Sequence, residues 1–114
     1  TGLLFATLPI FAQQAIVPEQ ATQFIGQQVT VCGKIYGGKH LKSAKNQPTF
    51  LNMGAAYPKQ QLTLVIWSNI RKTFTAAPEV AYNGKTVCVT GKIDTYKNQP
   101  QIVIYAASQI TEKK

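Results

Sequence analysis

The segments GQQVTVCGKIY (26–36) and GKTVCVTGKID (84–94) are almost one sentence written twice, and each runs on to the same tetrapeptide, Lys45–Pro48 and Lys97–Pro100. No other feature of the chain constrains its fold as much. Valine alternates with other residues in both copies, at Val29 and Val31 and again at Val87 and Val89. That period of two belongs to a strand with one buried face. Cys32 and Cys88 fall on the face opposite the valines. If the strands run antiparallel with Val31 facing Val89, the two cysteines are directly opposed, at a separation a disulfide accepts. The pattern therefore predicts Val29, Val31, Ile35, Val87, Val89 and Ile93 inward, with Cys32 bonded to Cys88.

The rest of the chain fits around these strands. VPEQATQFIGQ has Pro18 and Glu19 at a helix start, Val17, Ala21, Phe24 and Ile25 at helical spacing, and Gly26 to end it, as a short plug helix would. Gly33 in mid-strand marks a bulge or sharp bend, and GGKHLKSAKNQ reads as a polar loop. PTFLNMG and LTLVIW are short strands separated by a turn at Tyr57–Pro58. SNIRKTF, with Ser68 as a cap and Ile70 and Phe74 four apart, supplies a helical turn or two. KTVCVTGKI and QIVIYA follow, joined by the tight loop DTYKNQP.

Five strands, a short helix between the third and fourth, a short N-terminal helix and a bent first strand describe an all-β, five-stranded OB-fold barrel. In it the first strand pairs with the second, the fourth with the fifth, and the first and fourth lie side by side. The repeat is then a pseudo-twofold of the barrel. At 114 residues there is room for one such domain, residues 16–114, after a separate N-terminal stretch, residues 1–15.

PTFLNMGAAYPKQQLTLVIW, NGKTVCVTGKIDTYKNQPQIVI and a closing SQI resemble the small bacterial OB-fold domains of the nucleic-acid-binding superfamily, including exported stand-alone forms of largely undefined role. The resemblance covers residues 17–110 and is most specific in the run Phe50, Asn52, Gly54, Tyr57, Pro58, Gln60, Trp67. A looser similarity to the bacterial periplasmic OB family rests on a leader followed by one barrel. The resemblance implies a fold and a binding role and supplies no catalytic residues.

TGLLFATLPIFAQQA is apolar and uncharged from Leu3 to Ala12, too short to span a bilayer as a helix, and reads as the apolar part of a signal peptide with Ala12 and Ala15 as small residues before a cleavage point. Export to the periplasm or the exterior is the expectation, with a retained apolar arm as the competing reading. In an oxidising compartment a pair of cysteines bonds by default.

Twelve Lys or Arg stand against four acids, and only Arg71 among the cations is not Lys. Such a balance favours polyanions, acidic glycans or an anionic envelope surface as partners. OB barrels bind on the face of strands two and three, between the loops after strands one and four. The first of those loops has Lys39, His40, Lys42 and Lys45 with Tyr36 at its base; the second has Tyr96 and Lys97, with Lys92 just before. Cations that follow phosphates and aromatic faces for bases are the parts of a single-strand site, and they sit at matching ends of the two hairpins. Lysine attracts backbone charge without reading base edges, so little sequence selectivity is expected.

His40 reads as a solvated loop residue, Trp67 and Phe50 as core, and Asn52 as a partner for the turn at Tyr57. One His and four scattered acids assemble no Ser/His/Asp set and no metal centre, so neither an enzyme nor a cofactor is expected. The alternative to a single-strand binder is a structural or interaction subunit, self-assembling or joined to an envelope protein. Oligosaccharide binding is a third reading that the sequence neither supports nor excludes.

Overall fold

The computed structural model describes residues 15–114; apart from Ala15, the expected leader or apolar arm lies outside them. Among these residues there are six strands: β1 (Gln28–His40), β2 (Thr49–Met53), β3 (Leu62–Ile66), β4 (Thr86–Tyr96), β5 (Gln99–Ile104) and β6 (Ile110–Glu112). The first five form a ring in the order β1-β2-β3-β5-β4, closed by β1 against β4. β3 and β5 are parallel and the other ladders antiparallel. No helix among the described residues is long and apolar enough to cross a membrane.

The seam between β1 and β4 has the register the repeat predicts, with Val31 opposite Val89 and Cys32 opposite Cys88. The two cysteines are bonded. All six predicted inward side chains are buried, the most exposed of them, Val29, at 8%. They pack with Leu51, Met53, Leu62, Leu64, Ile66, Ile102 and Ile104 into one core. The repeated tetrapeptide is a turn both times: Asn46 and Gln47 in the first copy, and Lys97 and Asn98 in the second, take left-handed backbone, and the proline that follows is buried. A turn before a strand and a proline that enters the ring are thus the shared demand behind the shared wording.

The N-terminal helix, Pro18–Phe24, is a 3-10 helix, with Pro18 and Ala21 buried, Phe24 half-buried, and Val17 and Ile25 exposed. It explains Gly33. The ladder is regular there, so the expected bulge is absent; instead the Pro18 ring occupies the space, and a Cβ on Gly33 would stand 2.5 Å from Pro18 Cγ. The bulge falls three residues later, where Tyr36 and Gly37 together oppose Asn52, with Gly37 at φ +78°. A bulge adds twist and lets one strand change partners. Here β1 leaves β4 after Lys34 and continues against β2.

Two other expectations are corrected, and a sixth strand is added to the five of the ring. Gly37–His40 is strand, not loop, because the closely approaching Phe50 carbonyl and the Leu51 side chain fill the space a Cβ at Gly38 would need. Ser68 begins α1 (Ser68–Arg71) but does not cap it; Trp67 holds that position without a side-chain bond, and a second one-turn helix, α2 (Pro78–Ala81), follows. The sixth strand has a simple cause. β5 pairs with β4 only from Ile93 to Tyr96, and β6 takes up the ladder at Val87–Val89 that β5 has left.

Arg71 ties the helical segment to the ring. Its Nη1 donates to Thr49 Oγ1 (2.8 Å) and Glu79 Oε1 (2.6 Å), and its Nη2 donates to Glu79 Oε2 (3.1 Å). The guanidinium holds the Glu79 carboxyl below its ordinary value of 4.5, against the opposing effect of burial. A depressed folded-state value means stability that is complete above 4.5 and is lost as pH falls through the folded value. We expect Glu79→Gln to be less stable than wild type at neutral pH, and the gap in denaturant midpoint to close as pH falls below 4.5. A gap that stays constant down to full protonation of Glu79 would show that its charge contributes nothing.

Candidate functional site

Alternation along β2, β3 and β5 settles which side chains face out. Thr49, Leu51 and Met53 point inward on β2, Leu62, Leu64 and Ile66 on β3, and Pro100, Ile102 and Ile104 on β5. Outward lies a band across three strands, since Phe50 opposes Val65 and Val65 opposes Val103. Lys39 of β1 opposes Phe50 and bounds the band on one side. On the other side Lys92 of β4 shares a cavity of about 470 Å³ with Val103, Tyr105 and Gln109. Trp67 and Tyr105 hold the next outward places along β3 and β5, 38% and 73% exposed.

Below this band runs a polar row. Asn52 opposes the Tyr36–Gly37 bulge on one side and Thr63 on the other; Thr63 opposes Gln101, and Gln101 opposes Asp94. Gln60 Nε2 donates to Thr63 Oγ1 (3.3 Å). Asn52 makes no hydrogen bond to the Tyr57 turn, contrary to expectation, so its amide is available at the surface.

The predicted site residues are brought together in part. Tyr36 and Lys39 lie beside β2, and Lys92 lies beside β5. Lys42 and Lys45 are exposed in the loop after β1, at the Thr49 and Ile66 ends of β2 and β3. Tyr96 and Lys97 are at the turn after β4, near the Met53 and Leu62 ends of those strands. The two lysine clusters therefore flank the face from opposite ends rather than sharing one. Both tyrosines are dressed with a cation: Lys34 Nζ is 5.2 Å from the Tyr36 ring centroid and Lys97 Nζ is 5.5 Å from that of Tyr96.

Trp67 and Phe50 are not core. Phe50 is half-buried on the outer face, and Trp67 is exposed beside it. Their phase was hidden because Val65, Ile66 and Trp67 are apolar in succession. Tyr105 and Gln101 were missed; their outward alternation with Ile102 and Ile104 was the available signal. His40 is no loop residue either. It ends β1 opposite Thr49, lines a cavity of about 310 Å³ with Arg71 and Phe74, and neither ring nitrogen has a hydrogen-bond partner among the described residues. Among those residues no three His, Cys, Asp or Glu side chains gather closely enough to hold a metal ion.

Neither a protein-family model nor a curated protein sequence matches this chain. Solved structures do. A candidate aspartyl-tRNA synthetase from Leishmania major Friedlin is similar at 7% identity with a TM-score of 0.52, over 98% of this chain and 23% of that one. The hypothetical protein YgiW from E. coli is similar at 16% identity and a TM-score of 0.47, over 88% of this chain and 90% of its own. A candidate nucleic-acid-binding lipoprotein from Klebsiella pneumoniae has 16% identity and a TM-score of 0.48, over 85% and 79%. This chain thus spans under a quarter of the synthetase, and that likeness extends to the fold alone. A ring in the order β1-β2-β3-β5-β4, closed by β1 and carrying helices between β3 and β4, makes this chain an OB-fold domain.

Proposed function

We propose that this domain is a non-catalytic, exported binding protein that takes single-stranded nucleic acid, or another polyanion, across the outer face of β2, β3 and β5 with little sequence selectivity. One observation carries the reading: an apolar and aromatic patch of Phe50, Val103, Trp67 and Tyr105, laid over the buried Val65, lies among lysines on all sides, Lys39 and Lys92 at its flanks and Lys42, Lys45 and Lys97 at its ends. Bases stack on aromatic faces of any sequence context, while cations follow the backbone. The lysine-to-arginine ratio favours charge attraction over base reading. The disulfide supports an oxidising compartment. The non-catalytic reading rests on the inventory of groups: of the four acids, Glu79 and Glu112 are held in ion pairs, and His40 is the single histidine of the chain.

Fluorescence anisotropy with a labelled oligothymidine at low salt tests this. Trp67→Ala is expected to weaken binding by about 1–3 kcal/mol if a base stacks there, with the salt dependence unchanged. The indole is only 38% exposed, so the variant also loses packing, and its denaturant midpoint is measured beside its affinity to keep the two effects apart. An undiminished affinity would remove Trp67 from the site.

A further inference from the structure

Asp94 is out of place on a surface built for phosphate. It is exposed, it lies at the end of the polar row Asn52, Thr63, Gln101, and it lines the 470 Å³ cavity beside Lys92 and Tyr105. Glu79 and Glu112 are neutralised by Arg71 and Lys85. The Asp94 carboxylate has no ion pair or hydrogen bond among the described residues, although Lys92 stands two residues away on the same face of β4. A bare carboxylate in the path of a polyanion repels it, and the repulsion falls away only where the carboxylate accepts hydrogen bonds from the ligand.

The neighbours define what such a ligand presents. Tyr105 offers a ring that is 73% exposed. Gln109 is no partner for a ligand through its oxygen: Oε1 accepts from the Tyr105 and Ala106 amides at 2.6 and 2.9 Å, and Nε2 donates to the Thr90 carbonyl at 3.1 Å, which makes it the fixed floor of the cavity. The charged groups of the lining are an acceptor with two oxygens, Asp94, and a donor, Lys92, and they stand around a stacking surface beside the polar side chains of Gln28, Thr90 and Ser108. A cavity of that volume is in the range that holds a small planar molecule. Among the bases, guanine alone sets two adjacent N–H donors, N1 and N2, next to an acceptor, O6. A carboxylate takes the two donors together, and the ammonium takes the oxygen.

Resting on the single-strand reading above, we infer that the Lys92–Asp94–Tyr105 cavity is a guanine subsite, a single base-reading position on a face that otherwise binds without regard to sequence. The strand's backbone would pass the lysines, and one base would turn into the cavity, stacked on Tyr105 with its Watson–Crick edge toward β4.

The test compares a short oligothymidine with the same strand carrying one central guanine, by anisotropy at constant salt. The guanine strand should bind about tenfold tighter, the discrimination a good two-bond base contact provides. Hypoxanthine in place of guanine, which lacks only the N2 amine, should lose most of that gain, and 7-deazaguanine, with its Watson–Crick edge intact, should keep it. Asp94→Asn separates recognition from mere charge because the two move in opposite directions: the variant should bind oligothymidine as well as wild type or better, and the guanine strand worse. Equal binding of both strands by wild type, or a uniform rise for both in Asp94→Asn, overturns the subsite and leaves the single-strand reading standing. No binding of either strand at low salt overturns both, as does salt-independent binding of a neutral oligosaccharide in their place.

Discussion

Reduction of the Cys32–Cys88 bond is expected to lower the folding free energy by about 4 kcal/mol. The bond closes a loop of 56 residues, and the chain-entropy estimate for a loop of that length is about 4 kcal/mol at 25 °C. The native ring has little to lose directly, since β1 and β4 remain paired from Gln28–Lys92 to Lys34–Thr86 without it. The effect acts on the unfolded chain, which regains the freedom that the bond denied it. Against the total of about 5–15 kcal/mol usual for a single domain, this is a large share. Urea unfolding of the oxidised protein, of the protein in reductant and of Cys32→Ala/Cys88→Ala measures it. The reduced and doubly substituted forms should unfold at clearly lower urea, with a slope at least as steep as that of the oxidised protein because the freed unfolded chain exposes more surface. Equal midpoints, or two free thiols in the folded oxidised protein by mass spectrometry, would refute the expectation.

The second large effect is ionic. If Lys39, Lys42, Lys45 and Lys97 each neutralise one phosphate, the log–log dependence of affinity on salt should have a slope of about −3, at about −0.7 per contact. Raising salt from 50 to 200 mM would then weaken binding by about 50-fold. Replacing any one of the four by Gln should weaken binding to all strands alike and make the slope shallower by about 0.7. Lys113 and Lys114, beyond the end of β6, are the controls and should leave the slope unchanged. Because Lys42 and Lys45 are separated from Lys97 by the length of β2 and β3, a strand too short to reach from one loop to the other should show only part of the full slope. Equal losses from every lysine, controls included, would mean that the face is not a track for phosphate. The assembly-subunit alternative would then lead.

The seam was legible to the residue because two independent constraints coincide there, the two-residue valine period and the opposed cysteines. Either alone would leave a one-residue slip open. Nothing comparable fixes β3, where Leu64, Val65, Ile66 and Trp67 are all apolar and both phases look buried. Only pairing with β2, whose Thr49, Leu51 and Met53 face the core, turns Trp67 outward. Gly37 and Gly38 misled for a different reason. Two glycines are a turn signal in isolation, but here one makes a bulge and the other yields space to the neighbouring backbone, a tertiary demand with no local trace. The lysines of the candidate face were visible from composition and loop position, whereas Asp94, Gln101 and Tyr105 belong to it only because β5 lies beside β3 in parallel. Alternation along β5 marks Gln101 and Tyr105 as outward, but the pairing that sets them beside β3 joins strands far apart in the chain and has no local trace.

β2 and β3, the middle of the candidate face, are hydrogen-bonded on both sides along most of their length and offer no free edge to which another copy could add a strand. β6 is only three residues long and ends in Glu112, followed by Lys113 and Lys114. A short, charged border of this kind resists edge-to-edge growth. The consequence is resistance of the folded state to fibril formation. Conversion to fibrils would have to open the seam first, and the covalent link at Cys32 and Cys88 stands across that opening.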